Sequence, residues 1–288
     1  MDEKKLGYNI INIVVIGLTA GLFLYDYRNV AEFFSGKTAA SILILIITVI
    51  LVHAVKAGRL YIALYGAEID FVTFLKIYCK VTPVSVVFPF KLGEFFRMYC
   101  YGKQLRSVLK GIVIILLDRF MDTIALVTML LLVWVFNGGH IPSIAYLLSI
   151  FLILALLIYF LFPGVYRFWK KYLLRARASK NKIRALKMLE ALHMIYREIE
   201  NVARGRGVIL YFMSLFAWGV EAGSLALLNG FSRNGELNQM ISDYLMSAMS
   251  GNQSMELKQF VFASVVLLIV SYLFLKAGKM IAAKKEYR

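Results

Sequence analysis

The chain is short of charge, and shortest of acids. Charged residues fill 17% of its 288 positions, Asp and Glu together number 17, and there are four prolines, three histidines and two cysteines. Soluble domains carry about a quarter charged residues. The low figure here, with 60% hydrophobic residues and a mean hydropathy of +0.72, excludes an ordinary soluble domain. Two cysteines exclude a disulfide framework. A bridge between Cys79 and Cys100 is geometrically open, but both fall on the cytoplasmic side by the topology below, where thiols stay free. His53, His140 and His193 are far apart and have no metal-ligand spacing, so no metal is expected. A phosphate-binding glycine loop is missing; "ARGRG" is an accident of a basic stretch. No Ser or Thr has a plausible His partner. Neither a cofactor nor intrinsic catalysis is therefore expected.

What remains is a chain of long apolar runs. They fall at about 8–25, 38–57, 107–135, 142–162, 207–229 and 258–277. Each is near or above the roughly 20 residues that cross a bilayer. The expected fold is all-α, a polytopic membrane protein of about six spans, with no room for a separate soluble domain. Strands would leave edges unpaired in lipid. The first run follows Lys4 and Lys5 but lacks a small-residue cleavage site, so it reads as an uncleaved span.

The acid deficit leaves a net charge of +16. In a soluble protein this would point to nucleic acid. Here it fits cationic loops facing anionic headgroups, and no nucleic-acid partner is expected. The bases concentrate in 163–206, which the positive-inside rule puts in the cytoplasm. Counting spans in both directions then puts 26–37 outside, 55–106 inside, 230–257 outside and both termini inside a cell membrane. Within 163–206, Leu186, Leu189, Ile195, Ile199 and Val202 have the spacing of an amphipathic helix on the membrane or on the protein. The alternative is a solvated helix laced by ion pairs.

One segment does not fit simple spans. "VFPFKLGEFFRMY", Val87–Tyr99, combines a proline, a glycine and three charges with five aromatic rings. Pro83 and Pro89 each remove a backbone donor and disfavour helix at the preceding residue. Both ends of the region lie on the basic side. A re-entrant hairpin over about 70–101 is therefore expected: a short helix in, a Pro-containing turn, and a short helix out. Freed backbone groups at depth require protein or a wet cavity, so the hairpin is expected to line one. From about Leu92, Glu94 and Arg97 share a helix face, and Gly93 permits close backbone approach.

The second constellation is "LLDRFMD", Leu116–Asp122. Asp118 and Asp122 share a face, with Arg119 offset by one residue. Ionisable groups inside a span cost about 2.5–3.5 kcal/mol each on insertion scales, so they pair or line a pathway. The three are expected to form a polar seam facing Glu94 and Arg97. Glu221, in "LFAWGVEAG", is a further acid near mid-span. At the end of the second run His53 and Lys56 share a face and Arg59 follows, a position that the cytoplasmic interface explains for His53. An inert ion-pair network that fixes helix register is the competing account of all these charges.

In this order, "PFKLGEFFRMY", "LDRFMD" and "AWGVE" resemble the lysylphosphatidylglycerol synthase transmembrane family, also called the flippase-like domain family. The likeness runs from about Arg59 to the last span. It implies a polytopic helical domain with a re-entrant hairpin. By position, Pro89, Gly93, Glu94, Arg97, Asp118, Arg119, Asp122 and Glu221 match the family's polar motif residues. In full-length members such a region moves an aminoacylated phospholipid between leaflets, and a separate soluble domain makes it. Stand-alone relatives are linked to polyprenyl-linked sugar transfer and envelope lipids. The resemblance therefore implies a translocase for an anionic or aminoacylated phospholipid such as lysylphosphatidylglycerol, or for a polyprenyl-linked lipid. The alternative is the membrane component of a phosphatidylglycerol lysyltransferase or lipid-linked glycosyltransferase system. Lys91, Glu94, Arg97, Asp118, Arg119, Asp122 and Glu221 are the expected headgroup residues; Pro83, Pro89 and Gly93 shape the hairpin. One departure stands out. "NQMISDYLMSAMSGNQSMELKQF" lacks the proline that the family often carries in its second half, which leaves room for a soluble transferase partner or a homo-oligomer.

Overall fold

The structure, a computed structural model, describes residues 3–67, 69–88, 92–137, 143–175, 179–228, 243–244 and 255–286. Among them are ten helices and no strand: α1 (Glu3–Asp26), α2 (Val30–Phe34), α3 (Ala39–Ala63), α4 (Phe71–Val87), α5 (Gly93–Gln104), α6 (Val108–Asn137), α7 (Ser143–Arg175), α8 (Lys180–Ala203), α9 (Gly207–Leu228) and α10 (Met255–Glu286). Five stretches are long and apolar enough to cross a membrane: Tyr8–Asp26, Ala39–Ala63, Ala145–Arg175, Gly207–Leu227 and Met255–Gly278. Helix α6 is 30 residues long but carries Asp118, Arg119 and Asp122 along its middle. The outward faces of α1, α7 and α10 are apolar, with Ile13, Leu24, Phe160 and Phe274 among the most exposed side chains. That is the surface a hydrocarbon solvent calls for. The fold is a polytopic helical membrane protein.

Local signals set several helix starts. The Ser41 N–H donates to the Thr38 hydroxyl at 3.2 Å ahead of α3. The Thr73 N–H donates to the Asp70 carboxylate at 3.1 Å ahead of α4. Lys182 N–H does the same to Ser179 at 3.1 Å ahead of α8. Each satisfies an amide that the first helical turn leaves without a carbonyl.

The central packing joins α3 to α9, α6 to α9, and the α4–α5 pair to α6 and α10. Its core holds Leu60, Phe74, Tyr78, Val81, Phe96, Tyr101, Ile115 and Leu210, all buried. A second cluster, around Leu126, Leu130, Trp218, Leu225 and Tyr244, continues between α6 and α9. Helices α7 and α8 lie to one side and α1 packs on α4.

The region 70–101 is two helices. They run antiparallel: the Phe74 ring meets Tyr101 at 6.2 Å, and at the other end Gly93 lies against Val84 and Ser85. Pro83 does not break α4, contrary to expectation. Its ring costs one backbone hydrogen bond, but it is buried in a helix clamped by α5 and α10, and the helix continues to Val87. Helix α4 ends at Val87 and α5 begins at Gly93, and Pro89, with Lys91, lies outside the described residues.

Pro163 is likewise internal, and α7 runs past the end of the fourth apolar run to Arg175. Packing carries the helix through. Tyr159 and Phe162 contact Tyr196 of α8 at 5.1 and 5.0 Å, and Tyr166 stacks on His193 at 3.9 Å. Lys170 Nζ reaches Glu190 at 2.8 Å, and the Tyr166 hydroxyl donates to the same carboxylate at 3.0 Å. These two bonds, Lys170 first, hold the Glu190 carboxyl below its usual range. Helix α8 thus packs on α7 and α6, while Ile183, Met188, Leu192 and Met194 remain exposed along it. The proline-free stretch expected to depart from the family's second half lies mostly outside the described residues.

Candidate functional site

Three helices bring six charges together. From α3, Arg59 Nε donates to Asp118 Oδ1 at 2.8 Å, and its Nη1 donates to Asp122 Oδ1 at 2.6 Å and to the Ser214 hydroxyl of α9 at 2.5 Å. From α5, Arg97 Nη1 lies 3.6 Å from Glu94 Oε2 and 3.7 Å from Asp118 Oδ2. On α6, Arg119 Nη2 donates to Asp118 Oδ2 at 3.1 Å. Its Nε is 3.5 Å from Glu94 Oε1, and its Nη1 is 3.7 Å from Asp122 Oδ2. The Ser85 hydroxyl of α4 donates to Glu94 Oε1 at 2.5 Å. Three guanidinium groups thus face three carboxylates, and the cluster is neutral as a whole.

Helical periodicity explains the convergence. Val49, Val52, His53, Arg59, Leu60 and Ala63 form the buried face of α3. Asp118 and Asp122 lie one turn apart on α6, and both reach Arg59. Arg119, one residue round the helix, turns towards the first turn of α5 and meets Glu94. Gly93 brings that turn in: a Cβ at this position would lie 2.5 Å from the Ser85 Cα. On the far side of α5, Gly111 of α6 packs against Gly102 so closely that a Cβ there would lie 2.7 Å from the Met98 carbonyl oxygen.

Burial is uneven across the cluster. The side chains of Arg59, Arg97 and Asp118 are at most 2% exposed, whereas Asp122 is 14% and Arg119 32% exposed. The network therefore opens on one side, at Arg119 and Asp122. Among the described residues Arg59 Nη2, Arg97 Nε, Arg119 Nε and Glu94 Oε2 have no hydrogen-bond partner. Buried donors and acceptors are ordinarily satisfied. Three guanidinium donors in this condition, on three different arginines within one cluster, match the donor set that a phosphate or carboxylate accepts.

Glu221 belongs to a neighbouring group. Lys56 Nζ reaches its Oε1 at 2.7 Å, and the Tyr244 hydroxyl donates to Oε2 at 2.9 Å. Lys56 also lies over the Trp218 ring at 5.1 Å. Lys56 and Arg59, one turn apart on α3, put the two groups side by side. A third buried contact, between His53 Nδ1 and the Tyr78 hydroxyl at 3.0 Å, joins α3 to α4, and Arg97 lies 6.0 Å over the Tyr78 ring.

Of the residues singled out in the sequence, Glu94, Arg97, Asp118, Arg119 and Asp122 meet in one cluster. Glu221 stands beside it, Gly93 supports it, Pro83 lies within α4, and Lys91 and Pro89 fall outside the described residues. Sequence reasoning missed Arg59 as the centre of the cluster, along with Ser85, Ser214 and Lys56 as partners. The lining of a wet cavity by the hairpin was also expected. An apolar cavity of about 320 Å³ lies on the α1 side of the hairpin, away from the charged cluster where that wet cavity was expected.

One family model matches the chain, over residues 9–252: the lysylphosphatidylglycerol synthase TM region. No curated protein and no solved structure matches it.

Proposed function

Because the chain belongs to the lysylphosphatidylglycerol synthase family of transmembrane regions, we propose that its charged cluster carries a lipid headgroup across the membrane. The lipid is an anionic or aminoacylated phospholipid, or a polyprenyl-linked lipid. The observation that carries this reading is the set of guanidinium donors without a hydrogen-bond partner, among the described residues, in a buried, neutral network open on one side. A headgroup cannot enter hydrocarbon unaided, since burying an unpaired charge is very costly. Here its phosphate meets Arg119 at the open edge and then Arg97, whose planar forks suit it. The carboxylates those arginines release, Glu94 foremost, take an ammonium or sugar hydroxyls. Arg59, bonded to Asp118, Asp122 and Ser214, holds the frame. The hairpin dips into a cell membrane from the cytoplasmic side, where both termini also lie.

The family's description as part of a synthase favours a second reading, a membrane component serving a soluble lipid aminoacyl- or glycosyltransferase. Co-purification of such an enzyme would distinguish it. The direct test uses proteoliposomes containing fluorescent lysylphosphatidylglycerol or phosphatidylglycerol. Leaflet exchange is followed by back-extraction to albumin. The parental protein accelerates exchange. Arg97→Lys and Arg119→Lys keep the charge but lose the fork, and both slow it by about tenfold or more, the loss of one to two charge-assisted hydrogen bonds. Parental rates in both variants would show that the cluster does not read phosphate.

A further inference from the structure

The cations of the central cluster all face carboxylates. Two lysines on the opposite face of the hairpin face aromatic rings and an amide instead. Lys80 of α4 and Lys103 of α5 turn towards α1. Lys80 Nζ donates to Asn12 Oδ1 at 2.5 Å and lies 5.2 Å from the Tyr8 ring centre and 5.6 Å from that of Phe96. Lys103 Nζ lies 3.1 Å from the Tyr8 ring centre. The Tyr8 ring in turn contacts Tyr99 at 5.8 Å. Among the described residues neither lysine has a carboxylate at ion-pairing distance. Aromatic faces and one amide oxygen hold both in place.

Directly beside this pair lies the apolar cavity of about 320 Å³, between α1 and the hairpin. Ile11, Val15, Val84, Phe88 and Phe95 line it. Phe96 and Tyr99 belong to its wall and also to the surroundings of the lysines, so the two features are continuous. Tyr8, Ile11, Asn12 and Val15 recur at the spacing of one helix face, which gives α1 a polar end and a greasy end on the same side.

We infer that this face is a binding site for an anionic phospholipid, with the phosphate at Lys80 and Lys103 and one acyl chain in the groove. A cationic head with an apolar slot beneath it is the complement of that molecule. A zwitterionic choline lipid would set its own cation against two lysines that have no described carboxylate beside them. The site shares no charged residue with the central cluster and does not depend on transport through it. Its occupant would tie α1, which packs on α4, to α5 as well.

The test is photolabelling in vesicles with phosphatidylglycerol or phosphatidylcholine analogues that carry a diazirine in one acyl chain, followed by peptide mapping. On the parental protein the phosphatidylglycerol probe labels the peptides holding Ile11–Val15 and Phe95–Tyr99 about tenfold more than the phosphatidylcholine probe, the order expected from two lysines at an anionic headgroup. In Lys80→Gln/Lys103→Gln the preference disappears. In Lys80→Arg/Lys103→Arg it is retained. Equal labelling by the two probes on the parental protein overturns the site, as does a folded glutamine variant that keeps the preference or a folded arginine variant that loses it. If the glutamine variant does not fold, the parental comparison and the arginine variant decide.

Discussion

Arg59 and Asp118 are joined across α3 and α6 by a 2.8 Å hydrogen bond, and each is about 1% exposed. A pair this deep is expensive to create but more expensive to break. Removing one partner strands the other charge, at about 3–5 kcal/mol, whereas replacing both with apolar groups of similar volume is often neutral. Arg59→Met and Asp118→Leu should therefore each lower thermal stability sharply in detergent, and Arg59→Met/Asp118→Leu should recover a large part of it. The recovery will be incomplete, because Arg59 also serves Asp122 and Ser214. Additive losses in the double variant would show that the two side chains are not coupled.

Lys56 and Glu221 should behave more mildly. Their bond is short, but the Lys56 side chain is 21% exposed, so solvent screens part of the interaction. Glu221→Gln keeps an acceptor for the Tyr244 hydroxyl and loses only the charge. The expected destabilisation is about 1 kcal/mol, well under that of Asp118→Leu. Thermal unfolding of the two variants side by side measures this, and equal losses would place Glu221 in the same energetic class as the central cluster.

How far the cluster was legible follows from these same residues. Glu94 with Arg97, and Asp118 with Asp122, announce themselves by three- and four-residue spacing, and the cost of charge in lipid makes the two faces seek each other. Arg59 did not announce itself. The apolar run ends near residue 57, where an arginine is usually a snorkelling anchor, yet the helix continues to Ala63 and keeps Arg59 a turn inside. The signal was present in the spacing of Val49, Val52, Lys56 and Arg59, one continuous face. Ser85 and Ser214 could not have been chosen, because only tertiary packing selects them from the many serines. Pro83 was misread because a proline's cost is local and fixed, while the packing that offsets it, as it does at Pro163 of α7, is not visible in sequence.

The distribution of basic residues predicts sidedness. Ser35 follows α2 and Ser179 precedes α8; both are exposed. The positive-inside count puts 26–37 outside and 163–206 inside. Single cysteines at the two positions, in a Cys79→Ala/Cys100→Ala background, should differ in labelling by an impermeant maleimide on intact cells: Ser35→Cys reacts and Ser179→Cys does so only after permeabilisation. Equal labelling of both before permeabilisation would refute the span count.

The hairpin's position on the cluster rests on Gly93. A methyl group there would run into the Val84 carbonyl oxygen and stand 2.5 Å from the Ser85 Cα and 2.7 Å from its nitrogen. These are backbone atoms, so the clash cannot be relieved by turning a side chain. Overpacking of this kind costs about 1–3 kcal/mol. The relief open to the protein is to move α5 away from α4, which separates Glu94 from the Ser85 hydroxyl that holds it. Gly93→Ala should therefore lower the melting temperature and slow lipid exchange together. Gly219 and Gly223 of α9 supply the control, since a methyl group added at either would meet nothing within 4 Å. In mid-helix, alanine there should be neutral or stabilising by about 0.5–1 kcal/mol. Differential scanning fluorimetry of the three variants ranks them, with Gly93→Ala expected lowest. A Gly93→Ala protein as stable as Gly219→Ala would mean that α4 and α5 are not pressed together at this point, and the placement of Glu94 beside Arg119 would lose its support.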